Sequence, residues 1–209
     1  MTTPGDPLAL AHWRRTVAEL YARVRDAAPV DQPRAWETFH AARDELFRSH
    51  PQTPLTPEQR DRFSGLDYFP YDPGWRTIGT LDREVEPETS SLELPADGLL
   101  RYTRVARIRF TVPGHQAELS LFWVEGYGGG LFLPFRDATY GRQTYGGGRY
   151  LYDTIKGADL GAGLDGIVLD FNYAYNPSCA YNDQWVCPLS PPENSLPFAV
   201  EAGEKLFRP

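Results

Sequence analysis

Cysteine is scarce: the 209-residue chain holds two, Cys179 and Cys187. In a chain long enough to bury its own core, that count excludes a disulfide scaffold. Long apolar runs are missing too. No stretch approaches the roughly 18 residues of a membrane helix, so an integral helical membrane protein is excluded. The opening MTTPGDPLALAHWRR has no basic flank leading into an apolar core, so no secretory leader is expected and the chain is placed in the cytoplasm. Lysine is nearly absent, two against nineteen arginines, a ratio better explained by a GC-rich genome than by function. The net charge of -7 argues against nucleic acid as a partner.

Glycine and proline are abundant at nineteen each. Both interrupt helices and mark turns, which favours many short strands joined by tight loops. The first third is nevertheless helical. Trp13, Val17, Leu20, Tyr21 and Val24 recur at three- and four-residue intervals between Leu8 and Ala27, with Asp6 as N-cap and Pro7 in the first turn. A second helix over Pro33 to Ser49 sets Trp36, Phe39, His40, Arg43, Leu46 and Phe47 on one face. Thr56-Pro57-Glu58-Gln59 is a capping box that opens a short third helix ending near Phe63.

After Leu66 the pattern changes to alternation with period two, the mark of half-buried strands. Candidates run over 75–81, 84–94, 102–112, 117–124, 131–135, 149–152, 167–172 and 198–202. In the third, Ile108, Phe110 and Val112 face inward and Arg107, Arg109 and Thr111 outward. Trp13, Trp36 and Trp123 are expected in the core and Trp185 on a surface loop. Consecutive hairpins imply antiparallel pairing. The fold expected is therefore a single α+β domain over 1–209. A helical segment (1–66) packs on a mostly antiparallel β body (67–209), built as a sandwich or a partly closed barrel.

Charge is uneven. Residues 67–100 carry net -6 and residues 101–150 net +4. Arg101, Arg104, Arg107 and Arg109 suit an anion site, but cross-strand pairing with acids explains them better. A hairpin tip at Asp97-Gly98 sets Glu88 opposite Arg107 and Glu86 opposite Arg109.

Two segments mix polar residues with aromatic and glycine-rich surroundings: LFLPFRDATYGRQTYGGGRY and LDFNYAYNPSCAYNDQWVCPLSPPEN. They nominate Arg136, Asp137, Tyr145, Arg149, Tyr150, Asp170, Asn172, Asn176, Glu193 and Asn194 as a site where the segments meet. The favoured use is binding a small polar or anionic molecule, with Arg136, Arg149 and Asn172 as donors and Tyr145 and Tyr150 as walls. A second is acid–base catalysis, as in a hydrolase or lyase, by Asp137, Asp170 or Glu193. A third is architecture, with Arg136–Asp170 and Arg149–Asp137 as internal pairs.

Together with LFRSHPQTPL and YFPYDP, the motifs PFRDATYGRQTYGGGRY, LDFNYAYNPSC and CPLSPPEN resemble a bacterial family of proteins of unknown function, over residues 36 to 205. Against that pattern, Tyr173 stands where arginine is expected and Ser190 where proline is expected. The resemblance implies no activity, substrate or cofactor.

No cofactor or metal is expected. Gly161 to Gly166 matches GxGxxG but runs into a strand, whereas a dinucleotide site needs a helix after the glycines. Cys179 and Cys187 are too far apart in sequence for a close zinc or redox motif, and two reduced, half-buried thiols are expected over a local disulfide. There is no GxSxG elbow.

Overall fold

The structure, a computed structural model, describes residues 6–95, 98–163 and 166–208. Helices α1 (Pro7–Asp26), α2 (Gln32–Ser49) and α3 (Pro57–Arg62) come first. Their ends are where the sequence sets them. Asp6 accepts the N–H of Leu8 at 2.9 Å, and His50 closes α2 through its N–H to Leu46. Thr56 and Gln59 form the capping box reciprocally, at 2.8 and 3.2 Å. No helix among the described residues is long and apolar enough to cross a membrane.

Among the described residues seven strands follow: β1 (Arg76–Asp82), β2 (Thr89–Leu94), β3 (Gly98–Val112), β4 (His115–Val124), β5 (Gly130–Phe135), β6 (Arg149–Asp153) and β7 (Gly166–Asp170). They make one antiparallel sheet in the order β6-β5-β4-β3-β1-β7, with β2 added to β3. Of the two architectures expected, this is the partly closed one, a curled half-barrel with helices packed on it. Leu20, Tyr21, Val24, Phe39 and Leu46 meet Ile108, Phe110, Val112, Leu119, Leu133, Leu151 and Leu169 in the main core. A second cluster, Tyr102, Phe122, Val124, Phe132 and Tyr150, lies beside it. Phe122, Phe132 and Tyr150 adjoin Leu121, Leu133 and Leu151 of the main core in sequence, so the sheet is covered on both faces there.

That double cover corrects one expectation. Trp123 is 43% exposed, because the buried side of β4 changes after Leu121 and Phe122 takes the inward place. The partner strand β3 carries an irregularity between Arg104 and Ala106, opposite this point.

The hairpin register also differs. Thr89 pairs with Thr103 and Leu94 with Gly98, while Arg107 faces Asp82 and Arg109 faces Thr80 on β1. The fifteen-residue β3 shares one edge between two strands, β2 along its first part and β1 along its second. Asp97 itself lies outside the described residues. The arginines still find acids: Arg104–Glu88 at 3.3 Å, Arg109–Asp82 at 2.7 Å, and Arg107 and Arg109 with Glu118 at 3.4 and 3.1 Å. The basic island is a cross-strand charge ladder with partners other than Glu88–Arg107 and Glu86–Arg109.

An eighth strand at 198–202 does not form. Residues 194–198 instead run beside the end of β5, with Arg136 and Ser195 paired in parallel and the N–H of Ala138 donating to Phe198 O at 3.0 Å. Pairing of β4 with β5 reaches only from Val124 to Phe122. Beyond it, the Asn194 side chain continues the ladder. Its Oδ1 accepts the N–H of Ser120 at 2.7 Å, and its Nδ2 donates to Ser120 O at 2.9 Å and to Pro134 O at 2.7 Å. Replacing Asn194 by Ala orphans three buried backbone groups at about 1–3 kcal/mol each. Urea unfolding is expected to show a loss of about 3 kcal/mol or more; a loss under about 1 kcal/mol contradicts the assignment.

Candidate functional site

The two polar segments do meet, but Arg149 is not open to a ligand. It starts β6, whose five residues are all buried, and is itself 1% exposed. Its Nη2 donates to Asp137 Oδ2 at 2.8 Å and to Val200 O at 3.0 Å. Its Nη1 donates to Ala202 O and, at 3.3 Å, to Glu204 O, and the guanidinium lies 5.1 Å over the Phe135 ring. Burial works against its charge and Asp137 opposes that effect. Asp137 Oδ1 accepts the N–H groups of Thr139 and Val200 at 2.8 and 3.2 Å. This is the Arg149–Asp137 pair of the architectural reading.

Arg136 does not pair with Asp170. It is half-buried, donates from Nε to Ser195 Oγ at 2.6 Å and lies 5.5 Å over Tyr140. Asp170 is buried at the end of β7 and accepts the backbone and side-chain N–H groups of Asn172 at 3.1 and 2.9 Å. Its other oxygen has no hydrogen bond and stands 3.6 Å from Arg76 Nε. Burial pushes this carboxyl up to about 6, against the hydrogen bonds from Asn172 and the charge of Arg76. The strand ends at Asp170, and Asn172 sits in the turn Phe171–Tyr173 rather than further along the same strand face. Asn172 clamps Asp72, accepting its N–H at 3.0 Å and donating to its carbonyl at 2.9 Å.

Asn176 belongs to a second buried charge centre that the sequence did not announce. Glu204 accepts from Arg43 at 3.0 Å, from the Asn176 side chain and N–H at 3.0 and 3.1 Å, and from the Tyr181 hydroxyl. Arg43 stacks over Phe47 and Tyr175. The available signal was Arg43 on the apolar face of α2, since a cation buried there requires an anion. Glu193 is exposed and Asn194 completes the sheet, so Asp137, Asp170 and Glu193 each keep separate surroundings. Among the described residues, no group of three or more His, Cys, Asp or Glu is arranged to hold a metal ion.

The glycine run approaches the chain itself. Gly148 has φ +92°, and a Cβ there would stand 2.6 Å from Phe135 O and 2.7 Å from Ser190 Cβ. Ser190 donates its N–H to Gly147 O at 3.0 Å, a bond proline cannot make. The Tyr150 hydroxyl donates to Pro188 O. These contacts seat residues 185–190 against the β body and leave an open groove of about 560 Å³ between that loop, Tyr145 and the β2–β3 hairpin. Tyr102, Tyr145 and Trp185 supply its aromatic walls, and Ser91, Asp183, Cys179 and Cys187 its polar atoms. Trp185 is 41% exposed, the surface aromatic expected. Both cysteines are free, half-buried thiols. Of the ten residues nominated from sequence, Tyr145 lines this groove.

Fold and site define an α+β half-barrel whose polar interior is closed on itself, with one aromatic groove at the meeting of its two motif segments. The chain belongs to the family described as protein of unknown function (DUF1684), which matches residues 61–205 and so begins further along than the resemblance from residue 36 implied. An uncharacterised protein of Haloarcula marismortui, solved by solution NMR, is similar at 42% identity and a TM-score of 0.60. The match covers 81% of this chain and 91% of that one. No curated protein matches.

Two outcomes follow. Removing Arg149 leaves Asp137 buried and unpaired, so Arg149→Ala is expected to cost about 3–5 kcal/mol. Joint replacement of Arg149 by Met and Asp137 by Leu is expected to cost less; urea unfolding in which the double variant is the less stable contradicts the pairing. The second concerns pH. With its folded pKa raised, Asp170 contributes stability that is full below its ordinary value of 3.8 and lost as pH rises through about 6. His40, stacked on Tyr68, is held neutral by burial, its pKa lowered to about 3, so its contribution is lost as pH falls below 6.5. The two oppose each other over the same window. Asp170→Asn removes one of them, so relative to wild type it is expected to be worse at about pH 4.5 than at about pH 7.5 by about 2 kcal/mol. A pH-independent difference contradicts this.

Proposed function

We propose that the protein binds a small polar molecule, aromatic or cationic, in the groove between Tyr145, Trp185 and the β2–β3 hairpin. The observation that carries this is the groove itself: an open concavity within the size range of ligand sites, with three aromatic walls and a few polar atoms between them. An anionic ligand loses its support, because Arg149 is neutralised by Asp137 and the charged residue on the groove is Asp183. Cations gain from both features, through the carboxylate and through the faces of the aromatic rings. Acid–base chemistry by a pair of carboxylates needs the two in one place, and Asp170 stands apart from Asp137 and Glu193. The free state of both thiols suits a cytoplasmic protein.

Tyramine and p-hydroxybenzoate share a phenol ring and differ in the charge of the tail. Tyramine is expected to shift the indole N–H resonance of Trp185 with the higher affinity. Tyr145→Ala is expected to weaken it about tenfold, and Asp183→Asn to narrow the gap between the two compounds. If neither compound moves the Trp185 resonance at up to about 10 mM, the proposal is wrong.

A further inference from the structure

The groove holds the chain's two cysteines, eight residues apart in sequence and both on its lining. Both are free, half-buried thiols. The Tyr145 hydroxyl donates to Cys179 Sγ at 3.5 Å, on the same groove wall. The Tyr145 hydroxyl thus reaches one of the two thiols, and the other lines the same groove. We propose that Cys187 and Cys179 are a thiol–disulfide exchange pair, Cys187 attacking and Cys179 resolving, for a small uncharged or cationic organic disulfide seated in the groove. This rests on the groove admitting a small molecule, as argued above.

Sulfur acidity distinguishes the two thiols. The pKa of Cys187 is lowered, first by the neighbouring Cys179 side chain, with the backbone N–H groups of Cys179 and Ser178 and the charge of Lys156 adding to it and burial opposing. The pKa of Cys179 is raised, first by Cys187 and then by burial. The thiolate is the nucleophile in exchange, so the asymmetry assigns the order of attack. Lys156 is held by Asp153 at 3.1 Å, and Asp183 on the groove rim disfavours anionic disulfides.

The steps balance. The Cys187 thiolate attacks one sulfur of RS–SR, forming a protein–S–S–R bond and expelling RS⁻, which takes the proton of the Cys179 thiol. The Cys179 thiolate, stabilised by the Tyr145 hydroxyl, then attacks the Cys187 sulfur and expels the second RS⁻, which takes from solvent the proton that Cys187 gave up on ionising. Two electrons pass from the protein to the organic disulfide, leaving a Cys179–Cys187 bond and two RSH.

The test treats the reduced, full-length protein with cystamine, bis(2-hydroxyethyl) disulfide or dithiodiglycolate and follows intact mass. The wild type is expected to lose two hydrogens without lasting adduct, fastest with cystamine and slowest with the anionic dithiodiglycolate. Cys179→Ser is expected to accumulate a single mixed disulfide at Cys187, and Cys187→Ser to react at Cys179 at least about tenfold more slowly. Circular dichroism of each variant verifies folding, and Cys→Ala versions replace any that fail. A wild type that gains stable adducts and no internal bond, or single-cysteine variants that react equally fast, overturns the pair. Tyramine separates the two proposals. Tyramine binding without exchange sinks the thiol chemistry alone, whereas exchange without tyramine binding sinks the ligand reading and leaves the pair standing.

Discussion

The Arg149 guanidinium is the fixed point of the β body. The segment from Asn194 to Glu204 crosses the molecule with no strand of its own, yet alternate residues along it are buried and their carbonyls need donors. Arg149 supplies them at alternate residues, Val200, Ala202 and Glu204, in the manner of a neighbouring strand. Asp137 neutralises the charge and takes the Val200 N–H, so a single ion pair answers both the acceptors and a donor of the segment. A buried ion pair is a weak source of net stability, because desolvation cancels most of the attraction. What it provides is discrimination: a shifted C-terminal segment leaves guanidinium N–H groups and backbone carbonyls in the interior without partners.

The same device recurs wherever proline and glycine prevent a ladder. Asn194 extends the β4–β5 pairing past Pro134, Asn172 holds Asp72 in the YFPYDP stretch, and Glu204 gathers Asn176, Tyr181 and Arg43. Each side chain presents a donor and acceptor set that stands in for a peptide group. A chain this rich in turn formers gives up regular hydrogen bonds and recovers them through amides and carboxylates placed in the interior. The polar residues amid apolar surroundings in the two long motifs are largely this substitution.

That explains what was legible in the sequence. Helix stripes and caps depend on contacts within a few residues, and α1 to α3 begin and end as those contacts require. The inward face of β3 from Ile108 to Val112 follows from alternation alone. Register does not, since it depends on which strand occupies an edge; β1 displaced the distal part of β2 from β3 and moved the partners of Arg107 and Arg109. Trp123 failed because a sheet covered on both faces has no outward side at Phe122 for the alternation to report. The site residues were harder still. A buried asparagine that completes a sheet and one that awaits a ligand share the same sequence surroundings, and distance along the chain hides Glu204 from Arg43.

Closed interior and open groove are mechanically one object. Gly148 precedes Arg149, and its positive φ lets the chain pass against Phe135 O and Ser190 where any side chain would collide. Gly147 then bonds Ser190, and Tyr150, following Arg149, bonds Pro188. The residues that lock the C-terminal segment thus also fix the wall carrying Trp185 and Cys187. A loop held at Pro188 and Ser190 by the start of β6 loses less freedom when something binds against it. The polar cluster of the two motifs acts at a distance of one residue: it does not line the groove, but it decides where the groove is.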